Sequence, residues 1–393
     1  MTTDLAGRGD TRARDAVMVS FLLNGFGFAT WVSRIPEARH ELGLSNGELG
    51  LLLLAISTGS VLSLPSTGAL INRWGASAVV RAGVVFDAVG LALAGFGPAL
   101  LGSVALTAVG LFAYGLGVGV WDVGMNVEGA AVERRLGRTI MPRFHAGFSL
   151  GTVLGALLGA ATTAIGVPMV AHLAAVAAVM LGVGWWSAGR FLPDDVHDHS
   201  EEQRGRTAWT AWREPRTLLI GLMVFALAMT EGTANDWLAV ALIDGYDVSR
   251  PVGVLGFGIF VTAMTAGRIV GPVVLDRYGR VPVLLGTMLA AGLGVVLIVF
   301  GAHPVVVVGG IVLWGVGASL GFPVGMSAAS DDPAHAAARV SVVASIAYTA
   351  FLAGPPFLGF LADHVGTLHA LLVISVLLLP SALVVTAARE PDA

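Results

Sequence analysis

The chain of 393 residues contains no cysteine, which excludes disulfides, thiolate metal sites and a cysteine nucleophile. Lysine is missing as well, so all 22 basic residues are arginine. Charge is scarce: only 12% of residues carry one, about half the share found in soluble domains. The formal charge of −4 leaves no basic excess to neutralise a phosphate backbone, and nucleic acid is not an expected partner. No H-E-x-x-H or similar ligand spacing occurs, so no metal is expected. No nucleophile and base pair and no cofactor loop stand out either. Gly115, Gly117 and Gly119 do not follow a strand as a dinucleotide turn would. An enzyme is therefore not the expected class, and no cofactor is implied.

Apolar residues make up 55% of the chain even before its 53 glycines are counted. Such a composition cannot be hidden in a water-soluble core, and the useful count becomes that of bilayer-spanning segments. A pass needs roughly 20 mostly apolar residues. Twelve candidates begin near Ala16, Asn46, Ala76, Leu101, Pro142, Pro168, Arg216, Pro251, Val281, Pro304, Ala336 and Gly366. Several start at a proline, where a missing N–H costs a helix nothing. The first has no A-x-A cleavage pattern and contains Asn24, so it reads as a retained helix rather than a signal peptide.

Arginine placement predicts the orientation. With a cytoplasmic N-terminus, the inside loops and flanks hold Arg8, Arg12, Arg14, Arg73, Arg81, Arg134, Arg135, Arg138, Arg143, Arg190, Arg204, Arg206, Arg213, Arg216, Arg268, Arg277, Arg280, Arg339 and Arg389. That is 19 of 22, with Arg34, Arg39 and Arg250 outside, the asymmetry expected of an even-numbered bundle with both ends inside. The longest polar stretch, Arg190 to Arg213, carries Asp194, Asp195, Asp198, Glu201 and Glu202 and falls between the sixth and seventh helices. The predicted organisation is a six-helix bundle over 1–190, a cytoplasmic linker over 191–215 and a second six-helix bundle over 216–393.

The halves repeat one another. Gly68-Ala-Leu-Ile-Asn72-Arg73-Trp-Gly75 returns 204 residues later as Pro272-Val-Val-Leu-Asp276-Arg277-Tyr-Gly279-Arg280, and Gly155 is matched at the same interval by Gly359. Val123-Gly-Met125 recurs as Val324-Gly-Met326. A repeat of about 200 residues argues for paired bundles and not for a solenoid.

These two loops resemble the G-x-x-x-D-R-x-G-R loop of the major facilitator superfamily, at the two places where that family carries it. Asn72 stands for the usual aspartate and Pro272 for the usual glycine. The resemblance implies an all-α membrane protein with twelve transmembrane helices in two pseudo-symmetric six-helix bundles. It also implies gating loops at Gly68, Asn72, Arg73, Gly75, Asp276, Arg277, Gly279 and Arg280. A narrower resemblance, to the fucose-permease-like branch and its bacterial relatives, runs through Asp122-x-x-x-Asn126, Glu133-Arg134-Arg135, Phe144-His145, Ser149 and Gly151, with Glu231-Gly232-x-x-x-Asp236-Trp237 in helix seven. In that branch the helix-four acid is implicated in proton coupling. The resemblance thus implies a multi-pass protein of a bacterial plasma membrane, with both termini cytoplasmic.

A charge at the membrane centre costs at least ~2.5 kcal/mol, so an acid there faces a wet cavity or a partner. Asp87, Asp122, Glu231 and Asp236 are such acids. Asp122 and Asn126, four apart, share a helix face. Asp122 and Glu231 are the candidate proton-coupling groups. Asp87 and Asp236 read equally well as neutral or hydrogen-bonded packing residues. The polar faces of helices one, four, seven and ten are expected to converge, with Asn24, Asn126 and Asp236 meeting substrate. His145 in the first turn of helix five is a further candidate, as a relay or as a partner of Glu133 or Asp122.

Trp31, Trp121, Trp237 and Trp314 offer the apolar side of a small-solute site, against a bland alternative of packing. Trp185 and Trp186 suit an interfacial belt. His172 has no partner visible in sequence and reads as structural, while His303 and His369 fall at helix ends. Glycines 147, 151, 155 and 159 in helix five form a small-x-x-x-small ladder for tight helix packing. That helix lacks the Gly-Pro pair of facilitator-family drug antiporters, which favours uptake. The expected function is secondary active transport, as proton-coupled symport of a small polar solute such as a sugar by alternating access. The expected partners are that solute, protons and the lipid bilayer, and the expected state is a monomer. A proton-linked exporter of amphipathic compounds and a non-transporting sensor are the alternatives.

Overall fold

The computed structural model describes residues 2–137, 140–193, 211–332 and 335–390. Arg138, Arg204 and Arg206, counted above, and the linker acids Asp194, Asp195, Asp198, Glu201 and Glu202 lie outside the described residues. Among the described residues the regular structure is entirely helical. The helices are α1 (Thr2–Val32), α2 (Ile35–Leu42), α3 (Asn46–Phe96), α4 (Val104–Leu136), α5 (Met141–Ala164), α6 (Met169–Ala188), α7 (Pro215–Tyr246), α8 (Arg250–Tyr278), α9 (Arg280–Phe300), α10 (Pro304–Ala318), α11 (Gly321–Ala329), α12 (Ala336–Val365), α13 (Thr367–Ala370) and α14 (Leu372–Val384).

Among the described residues, eleven helical stretches are long and apolar enough to cross a bilayer. The longest, 56 residues from Asn46 to Leu101, is two passes joined at a kink, which makes twelve passes in all. The kink is Gly75, at φ 81° and ψ 157°. Its repeat partner Gly279 joins α8 to α9 at φ 76° and ψ 168°. This corner of backbone space is open to essentially no residue but glycine. The 204-residue repeat is therefore one of backbone conformation as well as of letters.

Two compact units result. The first contains α1, α2, most of α3 and α4 to α6; the second contains α7 to α14 and the segment Ser45–Gly50. In the first, the glycine ladder of α5 lies along α1: a Cβ at Gly151 would meet the Leu22 carbonyl, and one at Gly159 the Ser33 side chain. Close backbone approach of this kind replaces the hydrophobic drive that lipid cannot supply.

Several boundaries differ from the expected ones for local reasons. α4 starts at Val104 and not at Leu101, because Gly97–Leu101 form a π-type turn that ends at left-handed Gly102 (φ 56°). Ser103 then caps the helix, its hydroxyl accepting from the Leu106 N–H at 3.2 Å. The short helix α2, absent from the expected set, opens with Pro36 in its first turn and closes at left-handed Gly43 (φ 63°). The tenth pass is broken at Ser319 and Leu320 into α10 and α11. α5 is capped from outside itself: the Glu133 carboxylate accepts from the N–H groups of Ile140 and Met141, at 2.7 and 2.8 Å.

His172, read as structural with no partner visible in sequence, has a partner distant in the chain. Arg34 is only 1% exposed, and its Nε donates to His172 Nδ1 at 3.0 Å. The same guanidinium reaches Thr162 Oγ1 at 3.0 Å, the Val167 carbonyl at 3.1 Å and the Glu37 carboxylate. One buried cation thereby ties the α1–α2 turn to the α5–α6 turn. In the second unit, Asp331 accepts from Arg216 and from Arg280, each at 2.7 Å, and joins the starts of α7 and α9.

Replacing Gly279 by alanine is expected to cost about 1–3 kcal/mol through backbone strain alone. No atom lies within 4 Å of the added Cβ. Gly286→Ala, in mid-helix with equally open surroundings, is the matched control and should be neutral or slightly stabilising. Thermal unfolding of the two purified variants decides it: equal unfolding temperatures would contradict the strained junction.

Candidate functional site

α4 runs 33 residues and places Asp122 near its middle. Asn126, one turn on, donates from Nδ2 to Asp122 Oδ1 at 3.2 Å and to the Asp122 carbonyl at 2.8 Å. No ion pair involves Asp122 among the described residues. Its neighbour Trp121 turns about 100° away around the helix. That ring is fully buried, and its Nε1 donates to Ser20 Oγ of α1 at 2.6 Å.

The other tryptophans share this fate: Trp31, Trp237 and Trp314 are at most 2% exposed. The Trp314 Nε1 donates to the Thr230 carbonyl at 3.2 Å, and its ring stands edge-on to Phe260. All four rings offered as a solute-facing surface are therefore buried. Asn24 is buried too, with its Nδ2 unpartnered. His145 is exposed and meets the edge of Phe21, 5.1 Å between ring centres. Asp87 is enclosed between α3 and α4 beside Gly117, with neither carboxylate oxygen hydrogen-bonded.

Glu231 lies near the middle of α7 and is held by a residue that was expected elsewhere. Arg268, counted above among the loop and flank arginines, sits inside α8, ten residues before its end at Tyr278. At 1.5 Å per residue that is roughly 15 Å deep, about half the hydrocarbon thickness. Its Nη2 donates to both Glu231 oxygens, at 3.1 and 3.0 Å. Its Nε reaches the Ser319 carbonyl at 3.3 Å, where the break between α10 and α11 frees that group. Both partners remain partly accessible, Arg268 at 27% and Glu231 at 18%. The signal was present in sequence: an arginine within a 29-residue apolar stretch is rarely anything but a cavity residue. Beside the pair, the Phe351 ring lies against Gly232. Asp236, half-buried one turn further along α7, makes no hydrogen bond or ion pair among the described residues.

Of the two loops, each places an arginine over the next residue's ring: Arg73 over Trp74 at 5.8 Å, and Arg277 over Tyr278 at 5.3 Å. Arg280 bonds Asp331 and Ser327. Gly68 and Asn72 lie on the first arm of α3, and Asp276 is exposed at the end of α8. Outside the passes, Glu214 accepts from Arg339 at 2.6 Å, and this hydrogen bond holds its carboxyl below the usual range.

The Glu231–Arg268 pair predicts non-additive substitutions. Removal of either partner alone leaves a poorly solvated charge, so the double variant should be more stable than the sum of the two singles. The expected coupling is on the order of 1–3 kcal/mol. A double-mutant cycle on Glu231→Gln and Arg268→Gln by thermal unfolding measures it, and a coupling of zero would contradict the pairing.

The model of the Major Facilitator Superfamily matches residues 17–350 and 257–393. An uncharacterised transporter of this type from Yersinia pestis is 32% identical over 351 residues, covering 88% of each chain. Among solved structures, the nucleoside transporter NupG superposes with a TM-score of 0.80 at 14% identity, over 97% of this chain and 99% of that one. The Escherichia coli fucose:proton symporter FucP does so with a TM-score of 0.62 at 16% identity, over 96% and 98%. At such identities the two structures speak for the fold. The family model and the Yersinia relative speak for more: this chain belongs to the major facilitator superfamily and is a multi-pass membrane transporter, not an enzyme.

Proposed function

We propose that this transporter couples proton entry to uptake of a small polar solute, such as a sugar, by alternating access. One observation carries the reading: Asp122, mid-membrane on α4, is half-buried and among the described residues has an amide for its only side-chain hydrogen-bond partner. A carboxyl so placed lacks the cation that would fix it in one charge state. A change of access between the two sides alters its solvation, and with it its hold on a proton. Asn126 is then a fixed polar neighbour for solute or for that acid.

Glu231 takes a second role through Arg268. The carboxylate accepts hydrogen bonds from solute hydroxyls, and the guanidinium keeps unused donors pointing out of the pair. Asp236 lies on the same helix as a further contact, and the buried Trp237 and Trp314 hold these backbones in place. The symporter FucP, similar in fold, takes fucose with a proton, and NupG takes nucleosides. Both are polyhydroxylated neutral solutes, which supports this substrate class.

The reading places the chain in a bacterial plasma membrane with both termini and the 191–215 linker in the cytoplasm. Its support is the arginine asymmetry, from which Arg268 now drops out as an intramembrane residue. Trp185 and Trp186 add to it: both are half-exposed near the end of α6, and Arg190 lies 3.8 Å over the Trp186 ring, as suits an interfacial belt.

Asp122→Asn keeps the shape and removes the titrating group. In proteoliposomes tested with a sugar and nucleoside panel, it should abolish gradient-driven accumulation while counterflow exchange persists. Uphill accumulation with unchanged pH dependence would move the proton carrier to another acid. Topology has its own test, made clean by the absence of native cysteine. A single cysteine at position 200 should resist membrane-impermeant reagent in intact cells, and labelling from outside would overturn the orientation.

A further inference from the structure

The second unit carries a groove of about 610 Å³ that has no place in the transport site. One wall is α8, through Ala266, Val270, Val274 and Tyr278, and the other is α9, through Val283 and Ala290. Its floor is the end of the α10 pass at Val316 and Leu320, reached over the bare backbones of Gly267, Gly271 and Gly286.

Apart from the Tyr278 hydroxyl at the mouth, the side-chain hydroxyls of the floor and walls are already engaged. The Thr287 hydroxyl donates to the Leu284 carbonyl at 2.9 Å, and the Ser319 hydroxyl to the Val316 carbonyl at 2.6 Å. Below the mouth a polar solute would meet only these two engaged hydroxyls. The flanks are open and apolar, with Ile269, Val270, Val273 and Leu289 all more than half exposed. From Tyr278 to Ala266 the groove follows twelve residues of one helix, roughly 18 Å, close to the depth of a single leaflet.

Its mouth is cationic in a specific way. Tyr278 lines the groove, and the Arg277 guanidinium sits over that ring at 5.3 Å. Arg280 nearby is already committed to Asp331 and Ser327. Arg277 is exposed and has no carboxylate partner among the described residues; Asp276, the one acid beside it in the loop, leaves the helix about 100° away. A free guanidinium at the polar end of an apolar slot one leaflet deep is complementary to a phosphate that carries an acyl chain.

We propose that this groove is a phospholipid site, with one acyl chain lying along α8 and α9 over the three glycines and the phosphate held by Arg277. The ligand class is a glycerophospholipid of the surrounding leaflet. The proposal does not rest on Asp122, Glu231 or Arg268, although Arg277 belongs to a loop assigned above to gating and Ser319 of the lining gives its carbonyl to Arg268.

The test is native mass spectrometry of the full-length protein, delipidated in detergent and titrated with phosphatidylglycerol or with diacylglycerol of the same chains. Gly286→Phe adds a ring at a glycine that lines the groove, where nothing lies within 4 Å of the new Cβ. Gly182→Phe, at an equally open and exposed glycine on α6, is the control, and Gly286→Leu stands in if the phenylalanine variant fails to fold. Wild type and the control should retain one phosphatidylglycerol, and filling of the groove should weaken that binding by roughly tenfold or more. Arg277→Gln should lose the preference for phosphatidylglycerol over diacylglycerol while chain binding persists. Equal lipid retention by wild type and a folded Gly286 variant would overturn the site, and equal affinity of wild type for the two lipids would overturn the phosphate assignment.

Discussion

Hydrocarbon supplies no hydrogen bonds, so every polar group carried into a pass has to be met inside the protein or open onto water. The hydroxyls show the rule at its simplest. Thr30, Thr58, Thr107, Thr230 and Thr262 each donate back to the carbonyl four residues earlier in their own helix. Arg34 shows it at its most elaborate, since a single guanidinium is satisfied by an imidazole, a hydroxyl, a carbonyl and a carboxylate. Arg268 obeys it by pairing with Glu231 and by taking up a carbonyl that the broken tenth pass releases. Against that background Asp87, Asp122 and Asp236 stand out as acids without a cation among the described residues, and of these Asp122 and Asp236 are the two not fully enclosed, which gives them a claim to function.

Packing in both units obeys a second constraint, the need for helices to approach without hydrophobic drive. Glycine meets it in two ways. In α5 the ladder lets the backbone of α1 come close. At Gly75 and Gly279 the same residue type allows a reversal between passes with no intervening loop. Gly366, after Asp363, repeats that conformation at φ 83° and ψ 150° between α12 and α13. The arginine laid over the following ring in the first two junctions keeps the charge at the helix end while the ring stays in apolar surroundings.

The passes were legible because their signal is compositional: twenty apolar residues announce themselves without reference to neighbours. The junction glycines were legible through the 204-residue repeat, and Asp122 with Asn126 through helical spacing. What stayed hidden was everything decided between helices distant in sequence. His172 meets Arg34 across 138 residues, and Glu231 meets Arg268 across 37. A tryptophan beside an acid in sequence points to a different side of the helix, and so Trp121 and Trp237 turned inward although their neighbouring acids did not. The α10–α11 break at Ser319 and Leu320 had its signal four residues on, where Pro323 has no N–H to give the Ser319 carbonyl.

Coupling of proton and solute movement at a lone mid-membrane carboxyl is the central claim, and proton flow itself is its most direct readout. Wild-type protein in proteoliposomes loaded with a pH-sensitive dye, with no imposed pH gradient, is presented from outside with each solute of the sugar and nucleoside panel. The account predicts that a transported solute acidifies the lumen as it enters, in fixed proportion to its own flux. Solute entry with no proton movement above that of protein-free vesicles would contradict it.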